Sequence, residues 1–413
     1  MPAQVIDYID TPGPDANDRD LSLRATTIEA IQSSQRKGLV PPVPTVGELL
    51  PLPTVMASPP TVTIGSANGS TQISSSVLIA WTDTKFRYLG GTPTVAGVAY
   101  PDTLMGRYAT ITAPAIPALM NVEFEFDGSD LEIYQKALTN NTFRIWVDGQ
   151  PATADRQSGP GSSGNLYLTL VAFGSRANRR IRIEGQNFYF GGIRIGPTDT
   201  LWPPSSPVGP RVALLGDSFG EAAGVGSMLG FLPAAGYLLG WRDIWNESVG
   251  STGYANPSTG GKKKYGDRVA TDIIAYNPDI VVVEGSVNDQ GYTTDAAIAA
   301  EAELVYQAIR TGLPNAILIV LLPFAVYSTA SYDTMIAAVK AKADQYAHLV
   351  IGPRAGLWFA GSGKEGSTTG SGNADYYRQS DSVHPTAAGQ AYIGYRFASA
   401  VAAAMPILGR NQT

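Results

Sequence analysis

RVALLGDSFGEAAG, running from Arg211 to Gly224, is the stretch on which the reading of this chain turns. Apolar residues lead straight into Gly216-Asp217-Ser218, and small residues follow. A buried strand that ends in a serine has two explanations. Ser218 caps a following helix, for which Ser and Asp are ordinary residues, or it is a nucleophile held at the strand tip. A nucleophile needs a base, an acid to orient that base, and donors for an oxyanion. GDSFG also fits the short G-x-S-x-G elbow pattern, which decides nothing alone.

Downstream, the apolar runs RVALLG, PDIVVVEG, AILIVLLPF and HLVIGP alternate with amphipathic stretches such as DRVATDIIAYN, DAAIAAEAELVYQAIRTG, YDTMIAAVKAKADQYA and TAAGQAYIGYRFASAVAAAM. Near-continuous apolar strands between helices predict a parallel sheet covered on both faces. Ligands in such sheets bind beyond the carboxyl ends of the strands. GDS and GSVND each follow a strand, so both are expected at one rim.

Histidine is scarce, with His348 and His384 the only two. His384 lies in SDSVHPTAAGQAY, three residues after Asp381. That spacing lets the carboxylate hold Nδ1 and leaves Nε2 to take a proton from Ser218. His348, between a helix and an apolar strand, reads as a packing or capping residue. In GSVND, Asn288-Asp289 suits a turn and equally an amide donor aimed at the rim. Gly250 and Gly253 in NESVGSTGYAN suit a tight turn or a backbone N–H brought close to a ligand. The Gly/Ser-rich stretch 354–379 carries Trp358, Tyr376 and Tyr377. It is either a wall on which sugar rings stack or a surface loop whose aromatics pack inward. Asp217, Trp358 and Tyr376 are the candidate substrate contacts.

The front of the chain differs. Residues 1–60 are turn- and proline-rich, with one short helix expected over LSLRATTIEAIQSSQRKG; proline spacing of this kind favours extended chain. From 61 to 204, SVLIAWT, RYATITA, NVEFEFDG, TFRIWVDG, NLYLTLVAF and RRIRIEG are short β-branched or aromatic runs separated by turn residues. They predict an antiparallel β-sandwich, of jelly-roll type. The proline cluster LWPPSSPVGP marks the boundary, with the α/β domain over 205–413. At 413 residues two domains are expected.

Composition narrows the chemistry. The 29 basic and 35 acidic residues give a net charge of −6, which disfavours nucleic acid and anionic membranes. The basic run Lys262-Lys263-Lys264 reads as a solvated loop. Without cysteine, disulfides and thiolate chemistry are excluded, and two histidines make a His-cluster metal site a poor expectation. No window approaches a membrane span of roughly 18 apolar residues. The first residues show no signal-peptide pattern, and localisation is left open.

In this order, GDSF, GSTGY, GSVND and DSVHP resemble the SGNH (GDSL-type) hydrolase superfamily. The resemblance implies a three-layer α/β fold with five parallel strands and ester hydrolysis by a Ser-His-Asp triad without cofactor or metal. Carried over, Ser218 is the nucleophile, His384 the base and Asp381 its orienter. The oxyanion donors are the Ser218 N–H, a backbone N–H of the glycine block and the Asn288 amide. Where many members carry the oxyanion glycine this chain has Ser251, and Gly253 is the favoured donor. NFYFGGIRIGPTDTLWPP leading into RVALLGDS is similar to two-domain carbohydrate acetylesterases with an N-terminal jelly-roll domain, which points to an acetylated saccharide or another small ester as substrate. The rivals are an SGNH-type lipase, an α/β-hydrolase esterase, and a virion glycan-binding protein with accessory deacetylase activity. The proline-rich arm would then serve homo-oligomerisation or virion attachment. Against the α/β-hydrolase stand the short Asp–His spacing and the lack of an HGGG-type motif.

Overall fold

The computed structural model describes residues 55–95, 104–105, 119–136, 141–153, 156–159, 165–206 and 208–410. The expected N-terminal helix, most of the proline-rich arm and the RYATITA strand lie outside them. The chain divides between Val208 and Gly209 into two compact units.

The second unit is an α/β layer structure. Its strands are β1 (Arg211–Leu215), β2 (Asp243–Asn246), β3 (Ile280–Glu284), β4 (Ile317–Leu321) and β5 (Leu349–Ile351). They pair in parallel in the order β2-β1-β3-β4-β5. The helices are α1 (Phe231–Leu239), α2 (Tyr265–Asp272), α3 (Asp295–Gly312), α4 (Asp333–Tyr346), α5 (Ala374–Tyr377) and α6 (Ala387–Arg410).

Strand side chains alternate between faces, which sorts the apolar runs into two cores. Val212, Leu214, Val282 and Ile319 point to one face, where α1 and α6 bring Phe231, Leu239, Ile393 and Phe397. Ala213, Leu215, Val283 and Val320 point to the other and meet Val269, Ile298, Val305 and Val339 of α2, α3 and α4. A sheet buried on both faces needs continuous apolar strands, which is why β3 and β4 read IVVVE and ILIVL. Helix α3 starts where Thr294 accepts the Ala297 N–H at 3.2 Å, with Asp295 in its first turn and Arg310 in its last.

Three elements of this unit escaped the sequence reading, the four-residue α5 among them. β2 is only DIWN, too short for a period to appear. α1 carries Pro233 and Gly236, both poor helix formers. The glycine is needed for contact: a Cβ on Gly236 would stand 2.4 Å from Ile244 Cδ1 of β2.

Among the described residues, the first unit is one antiparallel sheet of twelve strands. Its spine is two long strands, Leu119–Lys136 and Leu166–Gln186, paired along their lengths with a register shift between Ala172 and Ala177. NLYLTLVAF and RRIRIEG, expected as two strands, are therefore halves of one. The polar GSRAN between them is exposed, and the register shift falls within it: pairing stops at Ala172 and resumes at Ala177. Different strands flank the two ends of the spine. Tyr189–Ile195 pairs with residues 131–136, while Arg87–Leu89 and Thr200–Trp202 pair with 121–127. Phe124 and Phe126 from one end and Leu131 and Ile133 from the other nevertheless share a single core.

Candidate active site

β1 ends at Leu215, and the chain turns sharply through Gly216-Asp217-Ser218. Glycine is required at 216 because a Cβ there would meet Glu284 Oε2 at 2.7 Å and Ser248 Oγ at 2.8 Å. Glu284 Oε2, at the end of β3, accepts the Asp217 N–H at 3.1 Å and the Gly220 N–H at 3.3 Å. Arg268 of α2, fully buried, donates to the Gly216 carbonyl at 2.8 Å and to the Glu247 carbonyl. Ser218 is thus held on a turn whose backbone is tied from below. It does not cap a helix: residues 219–225 form turns, and the next α-helix begins at Phe231.

His384 and Asp381 meet at the same rim. His384 Nδ1 lies 2.6 Å from Asp381 Oδ2, and Asp381 Oδ1 accepts the N–H of Val383 at 2.8 Å and of His384 at 3.0 Å. Burial pushes the Asp381 carboxyl up, but the bonds from the imidazole and the two N–H groups together outweigh it and hold the group below its ordinary value. It therefore stays an anion facing the ring. The His384 ring packs edge-on to Phe219, the residue after Ser218, with centroids 6.1 Å apart. Among the described residues the ring bonds to Asp381 and not to Ser218; serine–base bonds commonly tighten only when substrate is bound.

Side chains that the sequence reading missed lock the histidine loop to the serine loop. Gln379 Nε2 donates to the Ala223 carbonyl at 2.9 Å and the Pro385 carbonyl at 2.7 Å, while its N–H donates to the His384 carbonyl at 2.7 Å. Gln390 of α6 donates to the Phe219 carbonyl at 2.9 Å and accepts the Phe231 N–H at 2.9 Å. Lys364 Nζ reaches the Ser380 carbonyl and Ser382 Oγ, each at 2.7 Å, and Arg378 Nε takes the Ser382 carbonyl at 2.7 Å. The bonds to Ala223 and Phe219, which span 156 and 171 residues, have no local pattern to betray them.

The glycine loop lies against Ser218, since a Cβ on Gly250 would be 3.5 Å from Ser218 Cβ. Gly253, the donor expected from sequence, faces elsewhere: its N–H is given to the Asn256 carbonyl at 2.8 Å. Its glycine answers a steric need, because a Cβ would stand 2.4 Å from Asp289 Oδ2. Asp289 gathers the N–H groups of Tyr254, Ala255 and Asn256 at 2.8–2.9 Å, so the Asn-Asp pair shapes this loop rather than merely turning the chain. Ser251 sits in the left-handed region at φ 68°. Among the described residues its N–H has no protein partner, nor has that of Ser218.

Asn288 Nδ2 donates to Asp217 Oδ2 at 3.2 Å and to the Thr252 carbonyl at 3.0 Å. Asp217 is fully buried, which removes it from direct substrate contact. Its oxygens accept the Phe219 N–H at 2.8 Å and the Val287 N–H at 3.3 Å. Burial pushes its carboxyl up to about 6 despite those bonds. Burial also drives Glu284 well above the usual carboxylate range, and the Asp217 charge pushes the same way. Glu221, beside the glycine loop, is raised to about 7 by burial, partly offset by Lys262.

Trp358 cannot serve as a sugar platform. It is buried in the α1/α6 core, with the Arg396 guanidinium 5.3 Å from its ring. Tyr377 is buried and stacks on Tyr392 at 4.6 Å, whereas Tyr376 is 62% exposed and keeps a free face. His348 is structural as expected, its Nδ1 accepting the Leu318 N–H at 2.8 Å. Among the described residues no group of acids and histidines could hold a metal ion, and no helix is long and apolar enough to cross a membrane.

A three-layer parallel α/β unit of this kind is an SGNH-type fold, and the chain is a carboxylic ester hydrolase. Residues 214–392 match the GDSL-like lipase/acylhydrolase family. No curated protein matches the chain by sequence. Among solved structures, the chain is similar to a family two carbohydrate esterase from Cellvibrio japonicus, at 15% identity and TM-score 0.57, over 80% of this chain and 98% of that one. It is similar also to an acetyl xylan esterase from the rumen bacterium Butyrivibrio proteoclasticus, at 12% identity and TM-score 0.54, over 79% and 97%. A salicylyl-acyltransferase from a tetracycline biosynthetic pathway aligns at 15% identity and TM-score 0.56, over 81% and 98%. At such identities the likeness is one of fold.

Proposed function

We propose that the chain is a serine esterase that removes O-acetyl groups from a carbohydrate. Ser218 Oγ attacks the ester carbonyl as His384 Nε2 takes its proton, with Asp381 stabilising the imidazolium through Nδ1. The alcohol leaves with that proton, and water then releases the acid from the acyl-serine by the same base. The oxyanion is received by the N–H groups of Ser218 and Ser251, with the Asn288 amide as third donor. In this reading Ser251 takes the role expected of Gly253, whose N–H is already engaged.

The observation that carries the proposal is the 2.6 Å contact of His384 with Asp381, beside the turn that presents Ser218. An anion on Nδ1 fixes the tautomer that leaves Nε2 basic. Two-domain carbohydrate esterases among the structural neighbours favour a saccharide substrate, and the exposed face of Tyr376 offers such a ring a place to stack. The antiparallel unit is read as the jelly-roll-like domain, with the boundary at 204/205 and the α/β domain over 205–413.

The test is acetate release from a panel of acetylated polysaccharides by the full chain and by Ser218→Ala. Wild type should release acetate and the variant should not; turnover surviving in Ser218→Ala rejects the mechanism. A p-nitrophenyl ester series decides between deacetylase and lipase, with preference for acetate expected and preference for long chains selecting the lipase.

A further inference from the structure

The basic run Lys262-Lys263-Lys264 is not a uniform solvated patch. Lys263 is exposed, and Lys264 pairs with Glu301 at 2.6 Å. Lys262 turns inward, its Nζ donating to the Gly250 carbonyl oxygen at 2.7 Å. That carbonyl belongs to the peptide whose N–H is Ser251's. The peptide is trans, since Gly285–Ser286 is the cis bond among the described residues. In a trans peptide the C=O and N–H point in opposite directions from one plane. An ammonium that holds the oxygen therefore fixes where the N–H points.

We infer that Lys262 is a positioning residue for the esterase reaction, clamping the Gly250–Ser251 peptide so that the Ser251 N–H meets the developing oxyanion. The inference rests on the serine-esterase reading above and names a part of that site that no motif carries. Three further observations support it. The clamped residue borders the nucleophile, a Gly250 Cβ falling 3.5 Å from Ser218 Cβ. Ser251 holds φ 68° without being glycine, a conformation that costs energy for an L-residue and persists when its surroundings enforce it. Glu221 closes on the same residue, meeting the Gly250 N–H while Lys262 holds the Gly250 carbonyl, so both polar groups of Gly250 are held by side chains. A cation on the carbonyl also polarises the peptide, which makes its N–H a stronger donor.

A clamp on an oxyanion donor acts on the transition state and hardly on the ester itself. Lys262→Met in the full chain should lower kcat on p-nitrophenyl acetate about tenfold to a hundredfold with little change in KM. Its affinity for a tetrahedral boronic acid inhibitor should fall by a similar factor. Lys262→Arg, which restores a cationic donor, should recover most of the loss, and Lys263→Met should behave as wild type. Lys262→Gln, a second neutral variant, guards against a folding defect peculiar to methionine. Unchanged kcat and boronate affinity in both neutral variants, alongside an inactive Ser218→Ala, would overturn the role of Lys262 while leaving the esterase reading standing. A kcat loss that merely follows a lower melting temperature, or that arginine does not recover, would equally overturn it. Full turnover by Ser218→Ala would instead remove the reading on which the clamp depends.

Discussion

Asp381 and Asn288 illustrate how much a single side chain does at this rim. The Asp381 carboxylate spends one oxygen on the backbone of its own turn and the other on the imidazole, so it sets both the loop shape and the ring tautomer. Asp381→Asn keeps the size and loses the charge; its amide can also favour the wrong tautomer. The expected outcome is a fall in kcat of roughly a thousandfold or more with KM nearly constant, measured by steady-state hydrolysis of p-nitrophenyl acetate. An effect below about tenfold would mean that the acid does not orient the base. Asn288 carries a different load. Its amide bonds Asp217 and the Thr252 carbonyl, joining the serine turn to the glycine loop. Asn288→Ala should cut kcat about a hundredfold and, because buried Asp217 loses a donor, lower stability by about 1–3 kcal/mol. Paired kinetics and urea denaturation would check both, and a variant with full turnover takes Asn288 out of the site. The Asp381–His384 contact was legible in the sequence because three-residue spacing in one loop brings the two side chains together. The engaged Gly253 N–H was not: its direction depends on a carbonyl, Asn256's, whose position only the folded loop defines.

At the scale of elements, the strands of the parallel sheet were readable because burial on both faces leaves an unbroken apolar run. β2 and α1 were hidden for complementary reasons, one too short to show a period and the other built around a proline and a closely packed glycine. The capping explanation for Ser218 could be dismissed only once the turns after it were known. The site depends on loops holding one another across more than a hundred residues. Gln379 is the clearest case: one side-chain amide reaches two carbonyls, Ala223 after the serine and Pro385 after the histidine. Gln379→Ala should leave both elements folded but relax their separation. Expected are a kcat reduction on the order of tenfold, since small displacements of catalytic groups are costly, and a loss of about 1–2 kcal/mol of stability. Restoration of both by Gln379→Glu is not expected, because a carboxylate cannot donate to two carbonyls. Kinetics and melting curves for the two variants check this, and a Gln379→Glu enzyme that behaves as wild type would show that the tether is unimportant.

Taken as a whole, the α/β unit gathers buried acids around the Ser218 turn and the glycine loop: Asp217, Glu221, Glu284 and Asp289 all have carboxyls raised by burial. An acid whose folded pKa is raised contributes most to stability while it is protonated in both states, and that contribution is lost as pH climbs through the folded value. For Glu221 the window is explicit, from its ordinary 4.5 to about 7. Across it the unfolded chain has released the proton and the folded chain still holds it, so unfolding becomes easier with each rise in pH. Asp217 adds a similar slope between 3.8 and about 6. Glu221→Gln keeps an acceptor for the Gly250 N–H and removes the charge. At pH 4.5 the variant should melt like wild type. At pH 8 it should be more stable by up to about 3 kcal/mol, from about 1.4 kcal/mol for each pKa unit, seen as a melting temperature several degrees higher for this unit. Calorimetry of both proteins from pH 4.5 to 8.5 gives the decisive curve: the difference must open through the interval below about 7 and then level off. A difference of constant size at every pH would trace the substitution to packing, and the buried carboxyl would no longer explain the pH response of the fold.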